Sequence, residues 1–276
     1  MSSQGANRDH HPVTTRHLLE MKQRGETIVV LTAYDFLFGR LVDEAGVDVV
    51  LVGDSLGQVV LGLDSTIPVT LDAMIHHGRA VRRAVRHGLV VLDMPFMTYG
   101  ITEAETLRNA KRVMQETGVQ AVKLEGGTEE ICRHVGRLVD AGIPVMGHIG
   151  LTPQSVHALG GYRVQGRESD RAEQLRTEAK RLADAGCFAI VLELLPAPLS
   201  REITRDIGIP TIGIGAGPHV DGQVLVLYDM LGLNDTFKPK FLRRFADLAG
   251  AARAGIREYV DAVRRGEYPD AEHSHE

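Results

Sequence analysis

Short apolar runs rich in β-branched residues recur along the chain, separated by segments whose apolar positions repeat with helical period. TIVVLTAYD (27–35), VDVVLVGDS (47–55), LVVLDMPF (89–96), QAVKLEGG (120–127), IPVMGHIG (143–150), CFAIVLELLP (187–196), IPTIGIGAG (209–217) and QVLVLYDMLGL (223–233) read as strands. Between them, Leu71, Met74, Ile75, Val81 and Val85 fall on one helical face behind a Thr70 cap. Thr102 with Glu105 forms a capping-box pattern, and Thr128 caps the next helix. Leu175, Ala179 and Leu182 mark a further helix, and 200–208 a short one. A long amphipathic helix is predicted from Lys240 to about Arg265, carrying Phe241, Phe245, Leu248, Ile256 and Val260. Strands this uniformly apolar suit a parallel sheet covered on both faces. Eight strand–helix units predict a (β/α)₈ barrel in one domain over 14–265, with a doubly wound open sheet as the other solution. Between strands seven and eight, PHVDG has room for a turn only. The polar stretches 1–13 and 266–276 read as disordered tails.

Several of these apolar runs end in charge, which is costly to bury without a partner. Asp54, Asp93 and Glu125 close three successive strands, and Lys123 lies two residues before Glu125. Alternation at period two places Val52 with Asp54, Val91 with Asp93, and Lys123 with Glu125. In a parallel barrel these ends share one rim, where active sites sit. Three carboxylates converging there repel one another, and an oxygen-only donor set suits Mg²⁺ better than zinc. The same residues would otherwise serve as caps at strand-to-helix turns. His148 ends the fifth run as a hydrogen-bond donor or proton shuttle, or as a packed loop histidine. Glu193, bounded by Leu192 and Leu194, is the candidate general base. Tyr34 and Asp35 occupy the corresponding rim position on the first strand.

Other features bound the function. The formal charge is −5, so no strong positive field invites nucleic acid or an anionic membrane. No signal-peptide core or membrane-length apolar run is present, and the reading is a cytoplasmic protein. Cys132 and Cys187 match no metal or disulfide pattern and read as buried thiols. GIGAG (213–217) departs from GxGxxG, since the sixth position is Pro218, and suits either phosphate or close packing. His76 and His77 lie within a helix and read as structural.

Taken together, VGDSLG, LDMPF, VKLEGG, GHIGLTPQS, GGYRVQGR, VLELLP, IGIGAG and DMLGL resemble the ketopantoate hydroxymethyltransferase family over about Thr32–Leu233. That resemblance implies a barrel of the phosphoenolpyruvate/pyruvate type. It implies hydroxymethyl transfer from 5,10-methylenetetrahydrofolate to 3-methyl-2-oxobutanoate, giving 2-dehydropantoate for pantothenate and coenzyme A. By family pattern Asp54, Asp93 and Glu125 hold Mg²⁺, and Asp54, Ser55, Asp93, Lys123 and His148 meet the keto acid. Glu193 matches the catalytic base. The family further implies a homodecamer of two pentameric rings. The resemblance demotes phosphate at GIGAG. Two other readings use the same residues: another Mg²⁺-dependent enolate-forming lyase or aldolase, and a noncatalytic metabolite-binding barrel.

Overall fold

A computed structural model of the protein describes residues 12–275. Residues 1–11 of the expected N-terminal tail, and residue 276, lie outside the described residues. The elements run α1 (Thr15–Arg24), β1 (Ile28–Thr32), α2 (Phe36–Glu44), β2 (Val49–Val52), α3 (Leu56–Val59), α4 (Leu71–Ala84), β3 (Leu89–Asp93) and α5 (Glu103–Thr117). They continue with β4 (Ala121–Lys123), α6 (Glu129–Asp140), β5 (Val145–Gly150), α7 (Ser169–Asp184), β6 (Ala189–Glu193), α8 (Ala197–Asp206), β7 (Thr211–Ile214) and β8 (Gly222–Leu225). Helices α9 (Leu227–Met230) and α10 (Leu248–Arg264) follow. The strands are parallel and close in chain order, with β1 paired to both β2 and β8. Closure excludes the open sheet.

The chain divides into two compact units, the first ending at Val226 and the second beginning at Leu227. The barrel lies wholly in the first. Its interior is filled by alternate strand residues, among them Ile28, Val30, Val49, Leu51, Leu89, Val91, Met146 and Val191. The intervening positions face the helices. Leu92 lies so close to Gly78 of α4 that a Cβ there would sit 2.5 Å from its Cδ1. A Cβ at Gly147 would sit 2.9 Å from Leu182 Cδ1 of α7. Continuing the inward phase upward brings Asp93, Lys123, His148 and Glu193 to the C-terminal end of the bore.

At the opposite end, α1 plugs the barrel. Thr14 caps it through a reciprocal bond with His17, and Gly25 ends it at φ 69°. That register sends Leu18 and Met21 into the interior cluster. Val13 precedes the plug, and its N–H donates to the His87 carbonyl.

In the second unit, α10 starts later than the apolar pattern predicts. Asp247 caps it by accepting from the Gly250 N–H, so Phe241 and Phe245 precede the helix. Ile256, Tyr259 and Val263 form an exposed apolar stripe on it. A short 3₁₀ turn at Ala271–His273, capped by Asp270, lies within the stretch expected as a tail.

Leu18→Ala removes a side chain with 0% exposure from the end of the barrel bore. Denaturant unfolding should show a loss of about 2–5 kcal/mol. A loss well under 1 kcal/mol would mean that α1 does not plug the core.

Candidate active site at the C-terminal rim

Six ionisable side chains from five successive strands meet at the top of the bore. Asp93 ends β3, and its register partner is Lys123 at the end of β4. Lys123 Nζ lies 2.8 Å from Asp93 Oδ1 and 3.8 Å from Glu125 Oε1. Glu125 Oε1 is 3.3 Å from His148 Nδ1, and His148 Nε2 is 3.2 Å from Glu193 Oε2. The two imidazole contacts and the Asp93 Oδ1 contact have ion-pair distances without hydrogen-bond alignment. Asp54 joins from the loop after β2, its main-chain N–H donating to Asp93 Oδ2 at 3.1 Å. Asp54, Asp93, Lys123, Glu125 and His148 are all at most 5% exposed.

The strand phase explains five of the six positions, since Glu125 continues the phase of Lys123. Asp54 arrives differently. Leu51 faces the interior, so alternation alone directs Val52 and Asp54 outward. The strand stops at Val52, and the turn that follows swings Asp54 back over the rim. The shared phase predicted for Val52 and Asp54 therefore reaches the right place for the wrong reason.

Four carboxylates face two basic groups here, an excess of two negative charges when all six are ionised. Desolvation, then the charges of Asp93 and Glu125, push the Asp54 carboxyl well above its ordinary pKa. Burial and the Lys123 charge depress His148, but Glu125 and Glu193 outweigh them and raise it to about 9. Burial also opposes the charge on Lys123, yet the three surrounding carboxylates raise its pKa. Burial raises Glu125, and His148, Lys123 and the Gln154 N–H more than offset it, leaving its carboxyl below the ordinary value.

Among the described residues, no three His, Cys, Asp or Glu side chains form a ready-made ligand set. The Lys123 ammonium stands between Asp93 and Glu125. The donor chemistry nevertheless fits a hard divalent cation. The available atoms are carboxylate oxygens, the Asp93 Oδ1 atom lacks a hydrogen bond, and the local charge is in deficit by two.

Ser55 stands at the rim, its Oγ 2.8 Å from the Tyr34 hydroxyl. Asp35 is instead a helix cap, accepting from the Phe38 N–H. His77 is tied to the Tyr34 carbonyl while His76 is exposed, so the pair is structural. GIGAG is a packing device: a Cβ at Gly217 would meet Ala197 Cβ at 2.5 Å. Cys187 is buried and Cys132 only half-buried. Two residues that pattern did not single out, Tyr99 and Gln154, sit on rim loops and bond directly to the cluster. Gln154 falls inside the GHIGLTPQS motif, which gave it no role, and its spacing does not mark a contact with the carboxylates.

Loops after β2 and β5 also border an open cleft of about 650 Å³, lined by Leu63, Asp64, Pro68, Val156, His157 and Tyr162. The Tyr162 hydroxyl lies 3.5 Å from Gln58 Nε2. Desolvation, and then the charges of Glu193, Asp54 and Glu125, raise its pKa, which places the phenol within the field of the cluster.

The fold is shared with solved enzymes of low sequence identity. Phosphonopyruvate hydrolase complexed with oxalate and Mg⁺⁺ superposes with a TM-score of 0.61 at 12% identity, covering 95% of this chain and 93% of that chain. The lyase for 2,3-dimethylmalate, a PEP mutase/isocitrate lyase superfamily member, gives 0.57 at 18%, covering 94% and 91%. The protein therefore shares the (β/α)₈ barrel fold of these enzymes. Residues 12–271 match the family model described as ketopantoate hydroxymethyltransferase. A 3-methyl-2-oxobutanoate hydroxymethyltransferase of Carboxydothermus hydrogenoformans is 55% identical over 262 residues, 95% of each sequence. The chain belongs to the ketopantoate hydroxymethyltransferase family.

In the metal-free protein, His148 should titrate near pH 9. Its stabilising contribution is full below its ordinary pKa near 6.5 and is lost as pH rises through about 9. NMR of the labelled imidazole reads the midpoint directly. A midpoint at or below about 6.5 would contradict the carboxylate sandwich.

Proposed function

We propose that the protein transfers a hydroxymethyl group from 5,10-methylenetetrahydrofolate to 3-methyl-2-oxobutanoate, giving 2-dehydropantoate for pantothenate biosynthesis. Family membership over residues 12–271 supports the reaction. The observation in the site that carries it is the Glu193–His148 contact, a carboxylate base held against an imidazole at the edge of the charged cluster.

Asp54, Asp93 and Glu125 are the residues that would hold Mg²⁺, with Lys123 shifting from between the last two. The bound ion would supply Lewis-acid charge at the carboxylate and 2-oxo oxygens of the keto acid. Ser55 and Lys123 would orient those oxygens, and Lys123 adds fixed positive charge where negative charge develops. Glu193 takes the C3 proton. The C3–H electron pair moves into a C2–C3 bond as the carbonyl oxygen gains charge. His148 stands against Glu193 and holds it toward the bore, rather than leaving it against an apolar wall alone.

The acceptor carbon carries two methyl groups and becomes quaternary in the product. It then has no proton with which to expel a folate amine by elimination. Water must therefore add to the methylene carbon before the carbon–carbon bond forms. One water supplies the new hydroxyl oxygen. As it adds, the methylene carbon's bonds to the two folate nitrogens break, the nitrogens take up the water's protons and tetrahydrofolate leaves. C3 of the enolate then attacks the released one-carbon aldehyde, whose oxygen is protonated to the hydroxyl. The cleft bordered by Tyr162 gives room for this larger substrate.

The reading extends to a cytoplasmic homodecamer of two pentameric rings. The exposed Ile256, Tyr259 and Val263 stripe supports assembly, and light scattering measures it. No described helix is long and apolar enough to cross a membrane. A lyase or aldolase of the same barrel class would turn over keto acid without methylenetetrahydrofolate, and product analysis with that substrate omitted separates the two.

With Mg²⁺ and keto acid alone in D₂O, the wild type should exchange the C3 proton. Glu193→Gln should bind both ligands yet exchange about 10²–10⁴-fold more slowly. Exchange at the wild-type rate would remove Glu193 as the base.

A further inference from the structure

Gln154 occupies a one-turn 3₁₀ segment, Pro153–Ser155, just beyond β5. Its side chain is buried and every polar atom on it is used. Nε2 donates to Asp54 Oδ2 at 2.8 Å and to the Met94 carbonyl at 3.0 Å. Oε1 accepts from the Tyr99 hydroxyl at 2.7 Å. The main-chain N–H of the same residue donates to Glu125 Oε2 at 3.0 Å. Tyr99, on the loop after β3, completes the circuit by accepting from the Glu125 N–H at 3.1 Å.

The amide has only one workable orientation. Turned over, its oxygen would face the Met94 carbonyl, an acceptor whatever the protonation state of Asp54. The Tyr99 hydroxyl matches the observed orientation with a donor. One residue thus holds two members of the carboxylate set, Asp54 through its side chain and Glu125 through its backbone. It does so without charge. A lysine or arginine in the same place would orient Asp54 equally well but would compete with any cation for its charge. Lys123 and His148 already carry that cost, and Gln154 adds none. A loop anchor alone would be satisfied by backbone partners such as Met94 and would have no need of two site carboxylates.

We propose that Gln154, oriented by Tyr99, is a positioning residue that fixes Asp54 and Glu125 for the divalent cation. The proposal rests on the cation reading given above. The direct test is Mn²⁺ affinity of the purified metal-free protein, measured by electron paramagnetic resonance for wild type, Gln154→Leu, Tyr99→Phe and the double variant. Circular dichroism verifies that each is folded. Gln154→Leu should lose about 10–100-fold in affinity, the scale typical of residues that orient metal ligands. Tyr99→Phe should lose less, and the double variant little more than Gln154→Leu, because both act through one amide. C3-proton exchange at saturating Mn²⁺ should return toward the wild-type rate. Thr211→Val, which removes a buried hydroxyl at the far end of the barrel, should bind Mn²⁺ like the wild type.

Wild-type affinity in folded Tyr99→Phe and Gln154→Leu would overturn the proposal. If Gln154→Leu does not fold, unchanged affinity in Tyr99→Phe alone is enough to overturn it. An equal loss in Thr211→Val would assign the effect to general destabilisation and overturn it too. A wild type that binds no Mn²⁺ would overturn the cation reading itself, and with it this role for Gln154.

Discussion

The constraint on which the site depends is the burial of four carboxylates with only two basic partners. Isolated ionised groups are too costly to desolvate, so the protein distributes the excess. Lys123 is placed between Asp93 and Glu125, and His148 between Glu125 and Glu193. Asp54 receives no cationic contact of its own and is the carboxyl driven toward its protonated form. A divalent cation would remove that imbalance. The chemistry proposed for the family requires positive charge at this same place, where an enolate oxygen gains negative charge.

The barrel makes this arrangement affordable. Short strands with one inward phase bring side chains from β3, β4, β5 and β6 to one level of the bore. Helix α1 closes the other end, so the charged layer has an apolar column beneath it and faces the rim. Gly147 allows α7 to press against β5, which keeps His148 turned inward. The loops after β3 and β5 then add neutral hydrogen bonds through Tyr99 and Gln154, which orient carboxylates without altering the charge balance.

Much of this was legible from strand phase. Asp93, Lys123, Glu125, His148 and Glu193 all lie where alternation puts them, because a strand leaves little choice of direction. Asp54 was located by its distance from the strand, but its direction was set by a turn that periodicity does not describe. Tyr99 and Gln154 were missed because they lie in irregular loops, where the spacing of polar residues says nothing about which contacts form. The start of α10 was missed for a related reason. Phe241 and Phe245 continue the helical spacing, yet the Asp247 cap decides where the helix begins. The family resemblance gave roles to the charged residues and to Ser55; its GHIGLTPQS motif includes Gln154 without a role, and none of its motifs reaches Tyr99.

Calorimetric titration of Mg²⁺ into the metal-free protein, in buffers of different ionisation enthalpy, tests the charge account most directly. The account predicts binding that releases protons, with affinity falling as pH falls, because the cation displaces protons from Asp54 and its neighbours. Heats that do not depend on the buffer, with affinity independent of pH, would contradict it.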